Sequence, residues 1–285
     1  MLLCDQYMKL SPTRKATFQK TVWDYYQAHN RADLPWRKKI TPYRIWISEV
    51  MLQQTQVGRV VDFFNAWMKA FPTIRTLADA PQIEVLKHWK GLGYNSRALR
   101  LKRAAEIIIK DHGGKFPKTL EQILKLPGIG PYTAGAIMAF AHDEKVTMIE
   151  TNIRRAYLHH FFRDTANIHD REILQLIEQT LPDKNFREWY WALMDYGSYL
   201  GRTIPNPNKR SRHYTLQKKF EGSDRQIRGA VLEVLLRGNR RLSIETLYLK
   251  LTGLSLGRER IDRIVSMLEH EGFVTVTHGT IGLKK

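Results

Sequence analysis

The chain is 285 residues long, 43% hydrophobic and 26% charged, without a low-complexity tract, which fits an ordinary globular protein of two domains and a small third. No apolar run approaches the roughly 20 residues needed to span a bilayer, and "MLLCDQYMKLSPTRK" is too interrupted for a secretory signal, so a cytoplasmic location (nucleoid-associated in a prokaryote) is expected. Lysine and arginine outnumber the acids 46 to 28, and the net charge of +18 favours a polyanionic partner, nucleic acid ahead of membrane or acidic protein.

Cys4 is the single cysteine, which rules out an intrachain disulfide and any multi-cysteine metal site within one chain. Beyond the N-terminus most of the chain reads as helix. "TPYRIWISEVMLQQTQVGRVVDFFNAWMKAF" opens on Thr41 and Pro42, a cap and first-turn pair, and Gly58 is expected to divide it into two helices. Within it Glu49 shares a helical face with Ile45, Trp46 and Leu52, where desolvation penalises a charged carboxylate. "IEVLKHWKGL", "SRALRLKRAAEIIIKDHGG", "TLEQILKLPG" and "YTAGAIMAFAH" come next with short Gly or Pro punctuation, then "HDREILQLIEQTLP" and "FREWYWALMDYGSYLG". Short links between helices predict a mainly α body.

The character changes after about residue 200. "RTIPNPNKRSRHYTLQKKF" carries two prolines, two asparagines and six Lys or Arg, with no acid from Tyr196 to Phe220. A helix is expected from Ser223, with Gln226 placed for a capping box. Three helices and then "FVTVT" and "TIGLK" about His278–Gly279 have the order of a small C-terminal winged helix over residues 222–285. Its candidate recognition helix is "GRERIDRIVSMLEHEG". A DNA-contacting module and a packing module are equally compatible with that pattern.

"LPGIGPYTAGAI" (126–137) is the most specific stretch. A helix ends, a Gly-x-Gly turn permits close backbone approach, and a small-residue helix starts at once. That arrangement predicts a helix-hairpin-helix gripping a DNA phosphate through Gly128, Gly130 and Thr133; the same turn admits a monovalent cation. A tight turn whose glycines serve packing alone is the alternative, and the basic charge favours the first.

"LPWR" (34–37), "SEVMLQQTQV" (48–57), "GLGYNSRALRL" (91–101), "GGKFP" (113–117) and "LPGIGPYTAGAI" occur in order, and over roughly residues 30–200 the chain resembles the adenine DNA glycosylase family of the endonuclease III superfamily. The resemblance implies a two-lobed helix-hairpin-helix glycosylase. Residues 1–31 with 147–220 would form one lobe and residues 32–146 a six-helix lobe, with duplex DNA across the cleft. It implies that Glu49 protonates a ring nitrogen of a flipped adenine, its proton retained by a partly desolvated site. Gln54 would wedge into the duplex, Tyr94 would lie beside the partner base, and Gln53, Arg37 and Arg97 would join the DNA-binding set, Arg37 as phosphate contact or pocket wall. Tyr132 takes the place of the Schiff-base lysine of bifunctional relatives, which implies a monofunctional enzyme. The expected partner is a duplex with a mismatched or damaged pair, and the expected state a monomer.

Departures from the family pattern matter. In "MIETNIRR" Glu150 stands where the family has the aspartate that stabilises the oxocarbenium-like sugar, with Asn152 retained. The added methylene moves the carboxylate by on the order of 1 Å, a shift that can cost about a hundredfold in rate. A compensated pocket, a slow enzyme and a binder without catalysis are the three outcomes. The family's four cluster cysteines are also missing: Gly201, Asn208 and Ser211 lie near the expected ligand positions, so neither an iron–sulfur cluster nor another cofactor is expected. Arg202, Lys209, Arg210 and Arg212 remain candidates for phosphate contact or for a solvated linker. No Nudix-like domain for 8-oxoguanine is evident. Adenine excision opposite G or 8-oxoguanine is the reading, with a mismatch thymine or uracil glycosylase and a non-catalytic damage binder as alternatives.

Overall fold

Among the residues placed in the computed structural model (9–217, 219–238, 241–254 and 257–284), helix dominates; Cys4 lies outside the described residues. The helices are α1 (Pro12–His29), α2 (Pro35–Lys38), α3 (Pro42–Leu52), α4 (Val57–Ala70), α5 (Ile74–Asp79), α6 (Gln82–Trp89), α7 (Ser96–His112), α8 (Leu120–Leu124), α9 (Pro131–Ile137), α10 (Thr151–Phe161), α11 (Asp170–Thr180), α12 (Phe186–Thr203), α13 (Asp224–Gly238), α14 (Ile244–Leu251) and α15 (Arg258–His270). The strands are β1 (Leu242–Ser243), β2 (Val274–Thr277) and β3 (Thr280–Leu283). None of the described helices is long and apolar enough to cross a membrane.

Local signals account for most boundaries. Ser11 and Thr119 accept N–H groups of Arg14 and Gln122, capping α1 and α8, and proline occupies the first turn of α1, α2 and α9. The break between α3 and α4 falls at Gln53–Gln56 rather than at Gly58, which lies in the first turn of α4. Gln54, at φ 60°, turns the chain there.

Packing divides the chain into two compact units, Met1–Val50 with Pro117–Leu216 and Met51–Phe116 with Gln217–Lys285. The cuts differ from the 31/32 and 146/147 boundaries read from the sequence. Most of α3 therefore belongs with the hairpin helices α8 and α9 and with α10.

In the first unit α12 lies against both α1 and α10, around Phe18, Val22, Tyr157, Trp189 and Leu193. The crossing with α10 demands glycine at position 197, where a Cβ would sit 2.1 Å from the Asn152 carbonyl oxygen. In the second unit α4, α6 and α7 enclose Phe64, Trp67, Trp89 and Ile108. The same unit holds α13, α14 and α15 with an antiparallel sheet in the order β1-β3-β2, joined between β2 and β3 by His278 and Gly279, both at positive φ. The Gln226 side chain accepts the Gly222 N–H, one residue before the expected cap partner. Gln82 donates to the Gly272 carbonyl, and Lys90 pairs with Glu233, tying these elements to α6 and the turn that follows it.

Candidate active site

Helix α3 is apolar on nearly every side: Ile45, Trp46, Ile47, Val50 and Met51 are all buried, and Glu49 among them is 4% exposed. The Tyr132 hydroxyl, at the start of α9, donates to its Oε2 at 2.5 Å. Burial pushes the Glu49 carboxyl up to about 7; the Tyr132 hydrogen bond and the Arg37 charge pull it down, while the charge of Glu150 raises it further. Burial also holds the Tyr132 phenol well above its ordinary value, so it remains a donor. The carboxyl is thus poised to carry a proton near neutrality and to give it up.

Glu150 precedes α10 in an extended conformation and caps it. Oε1 accepts from the backbone N–H of Asn152 at 2.6 Å and of Ile153 at 2.7 Å, while Oε2 faces the Asn152 amide at 3.3 Å. The carboxylate folds back onto the helix N-terminus, where the helix dipole favours its charge. Burial raises its proton affinity, opposed by those two N–H groups and by Arg154 and Arg155. Glu49, Glu150, Tyr132 and Asn152, drawn from three separate stretches of sequence, all belong to the same unit.

Arg37, expected as a phosphate contact or a pocket-wall residue, and Arg97, expected in the DNA-binding set, are both internal. Arg37 is 7% exposed and grips Asp195 with both terminal nitrogens, at 2.7 and 2.9 Å; Arg31 bonds the same carboxylate. Arg97 is equally buried and donates to the carbonyls of Met51, Gln53, Leu92 and Gly93. That guanidinium fixes the two bends that carry Gln54 and Tyr94, non-glycine residues held at φ 60° and 47°. Gln53 is half-buried, Gln54 exposed and Tyr94 41% exposed. The Tyr94 hydroxyl accepts from Gln217 and Arg225, each at 2.6 Å, two residues that sequence reasoning missed.

In the hairpin Gly128 takes φ 80°, a conformation that favours glycine, and the Ile129 N–H closes on the Leu126 carbonyl. Gly128 and Gly130 are exposed, whereas Thr133 is buried. Arg202, Lys209 and Arg212 are exposed and Arg210 is half-buried, donating to the Arg163 carbonyl; Arg212 also reaches His169.

The loop after α12 does not fit an iron–sulfur cluster. Asn208 donates to the Thr151 carbonyl, the Ser211 hydroxyl accepts the His213 N–H, and a side chain on Gly201 would collide with the Arg155 guanidinium. Amides and a hydroxyl spent on backbone groups leave no thiolate donor set. Among the described residues no group of three or more His, Cys, Asp or Glu is placed to hold a metal.

Fold and site together define a class: residues 47–183 match the family described as HhH-GPD superfamily base excision DNA repair protein. A protein named adenine DNA glycosylase from Mycolicibacterium smegmatis is 33% identical over 226 residues, covering 73% of this chain and 76% of that protein. Another of that name, from Buchnera aphidicola subsp. Baizongia pistaciae, is 37% identical over 184 residues, 64% of this chain; the chain spans only 52% of that relative's length. Among solved structures, a thermostable thymine-DNA glycosylase is similar at 27% identity with a TM-score of 0.61, over 68% of this chain and 91% of that one. The chain belongs to the adenine DNA glycosylase family within the helix-hairpin-helix superfamily.

Proposed function

We propose that the chain is a monofunctional DNA glycosylase that hydrolyses the N-glycosidic bond of an adenine flipped out of a mispair with G or 8-oxoguanine. The observation that carries this reading is the buried Glu49, bonded by the Tyr132 hydroxyl, in the same unit as Glu150 capping α10. With Oε2 occupied by the tyrosine hydroxyl, Oε1 of Glu49 carries the proton to a ring nitrogen of adenine. The base then leaves neutral as the glycosidic bond breaks, and the Tyr132 hydrogen bond stabilises the resulting Glu49 carboxylate. Glu150 faces the cationic sugar, and water adds to the anomeric carbon as its proton passes to the Glu49 carboxylate, restoring the acid; two carboxylates divide the work as in glycoside hydrolysis. Tyr132 has no amine for a Schiff base, which supports base release without strand cleavage.

Duplex DNA with a mismatched pair is the proposed partner, bound by a monomer. Exposed Gln54 and Tyr94, the hairpin glycines Gly128 and Gly130, and exposed Arg202, Lys209 and Arg212 are the proposed contacts. Residues 222–285 are read as a winged helix. On α15, Arg258 bonds Glu245, and Arg260 and Arg263 bond Asp224, all in solvent-accessible ion pairs that a phosphate could replace.

Single-turnover release from duplexes with A opposite G, 8-oxoguanine or T, and with T or U opposite G, tests the reading, alkali revealing abasic sites. Release of adenine, lost in Glu49→Gln with duplex binding retained, is expected. The likeness to a thymine-DNA glycosylase makes release of T or U alone the outcome that moves the chain to that activity. Tight binding with no release from any duplex would leave a damage-binding protein.

A further inference from the structure

We propose that the loop following α12 is a positioning device for Glu150: Asn206, acting through Arg155 and Asn152, holds the Glu150 carboxylate at the start of α10. The proposal rests on the reading of Glu150 as the carboxylate that faces the sugar. Asn206 Oδ1 accepts from Arg155 Nε at 3.3 Å and from the Asn208 N–H at 3.2 Å. Arg155 Nη1 donates to Asn152 Oδ1 and to the Gly197 carbonyl, both at 2.7 Å. A guanidinium can only donate, so it dictates that the Asn152 oxygen faces Arg155 and its NH2 faces Glu150 Oε2, as found at 3.3 Å. The largely buried Asn208 adds a second tie, its amide donating to the Thr151 carbonyl one residue beyond Glu150. A continuous chain of hydrogen bonds thus runs from a surface loop to the carboxylate that caps α10.

The Asn152 amide and the two backbone N–H groups hold the carboxylate, and the remaining links hold the Asn152 amide in turn. The longer side chain has one more torsion, and a misplacement of about 1 Å at a reacting centre can cost a hundredfold. The charged and titratable groups around Glu150 are Glu49 from α3, Tyr132 from α9, and Arg154 and Arg155 from α10 itself. Arg154 is held by Asp170 at 2.6 and 2.8 Å, so Arg155 is the cation through which the loop acts.

Gly201 provides a clean test. Within α12 an added Cβ would lie 2.6 Å from Arg155 Nη1 and 2.7 Å from its Cζ, so Gly201→Ala displaces the end of a flexible side chain rather than backbone. The helix preference of alanine offsets part of the lost Arg155 hydrogen bonds, so the melting temperature should fall only modestly, while the single-turnover rate of base release falls at least about 10-fold, with duplex affinity changed less than about 2-fold. The acidic limb of the pH–rate profile should move to higher pH, because Arg155 no longer favours the ionised carboxylate. Asn206→Ala should act in the same direction, and Asn206→Asp, which keeps the acceptor, should restore the rate. The Glu150 carboxyl titration, followed by 13C NMR, should move up in Gly201→Ala and Asn206→Ala, whether or not any duplex is cleaved. A wild-type rate and an unmoved Glu150 titration in both variants overturn the proposal, as does Asn206→Asp behaving like Asn206→Ala. If wild-type protein releases no base from any duplex, the glycosylase reading fails. The Glu150 titration then decides the loop's role by itself: an upward move supports it and no move overturns it.

Discussion

The proton on Glu49 links catalysis to stability. In the unfolded chain the carboxyl titrates near its ordinary 4.5, and in the fold near 7. Below the lower value both states hold the proton; above it the unfolded chain loses the proton first, so stability falls as pH rises until the folded carboxyl has also ionised. The total is about 3 kcal/mol. Glu49→Gln removes this dependence and should gain roughly that much over wild type between about pH 5 and about pH 8, read from urea midpoints. A difference between the two proteins that stays constant over that range would sink the assignment. Base release should likewise decline above about pH 7 as the acid is lost. At Glu150 the carboxylate's charge and its capping oxygens separate: Glu150→Gln keeps an oxygen for the Asn152 and Ile153 N–H groups but loses the charge. The new NH2 faces the Asn152 NH2, which Arg155 keeps from turning, so the melting temperature should fall modestly, while single-turnover release falls by about 10²–10³. Asp195 marks the limit of reading single residues from sequence. It is an acid in the apolar stretch "EWYWALMDYGSY", the same signal that marked Glu49, yet Arg37 and Arg31 neutralise it and its role is structural. Arg37→Ala should therefore lower stability by about 1–3 kcal/mol, because Arg31 still bonds the buried carboxylate but two of its hydrogen bonds are lost, and a variant that melts like wild type would contradict that role.

At the scale of elements, turn chemistry was the most legible. Thr119, the prolines that open α1 and α9, and Gly113 and Gly128 stand where helices begin or end, because caps and left-handed turns are decided by a few adjacent residues. The break after α3 was misplaced because Gly58 is tolerated in a first turn, whereas Gln54 is forced left-handed by contacts distant in sequence, chiefly the Arg97 guanidinium. Strand β1 escaped notice because two residues carry no period to detect. The meeting of α10 and α12 rests on Gly197. Gly197→Ala should lower stability by about 1–3 kcal/mol, since its Cβ would overlap backbone, and it should disturb Asn152 directly. Thermal melts and single-turnover release would both register the change. Unchanged values in both would mean that α12 can shift without consequence.

For the molecule as a whole, charge makes a prediction of its own. With +18 on the chain, a duplex bound through about six phosphates should lose about 10³-fold in affinity between about 50 and 200 mM salt. A flat response would argue against a broad phosphate interface. Composition, the helical punctuation and the five ordered motifs were sufficient for the mainly α body and the family, since each depends on local chemistry or on contiguous motifs; the same motifs singled out Glu49, Tyr132, Glu150 and Asn152, which the fold gathers into one unit. Only the tertiary structure decided which polar side chains are spent internally. Arg37 reads on paper as a phosphate contact or a pocket-wall residue and Arg97 as a DNA contact, and burial spends them on an ion pair and a clamp on carbonyls. Arg155, Asn206, Gln217 and Arg225 gave no sign in the sequence, because a side chain's partner is set by which helices and loops meet in space, and residues so far apart along the chain share no local pattern.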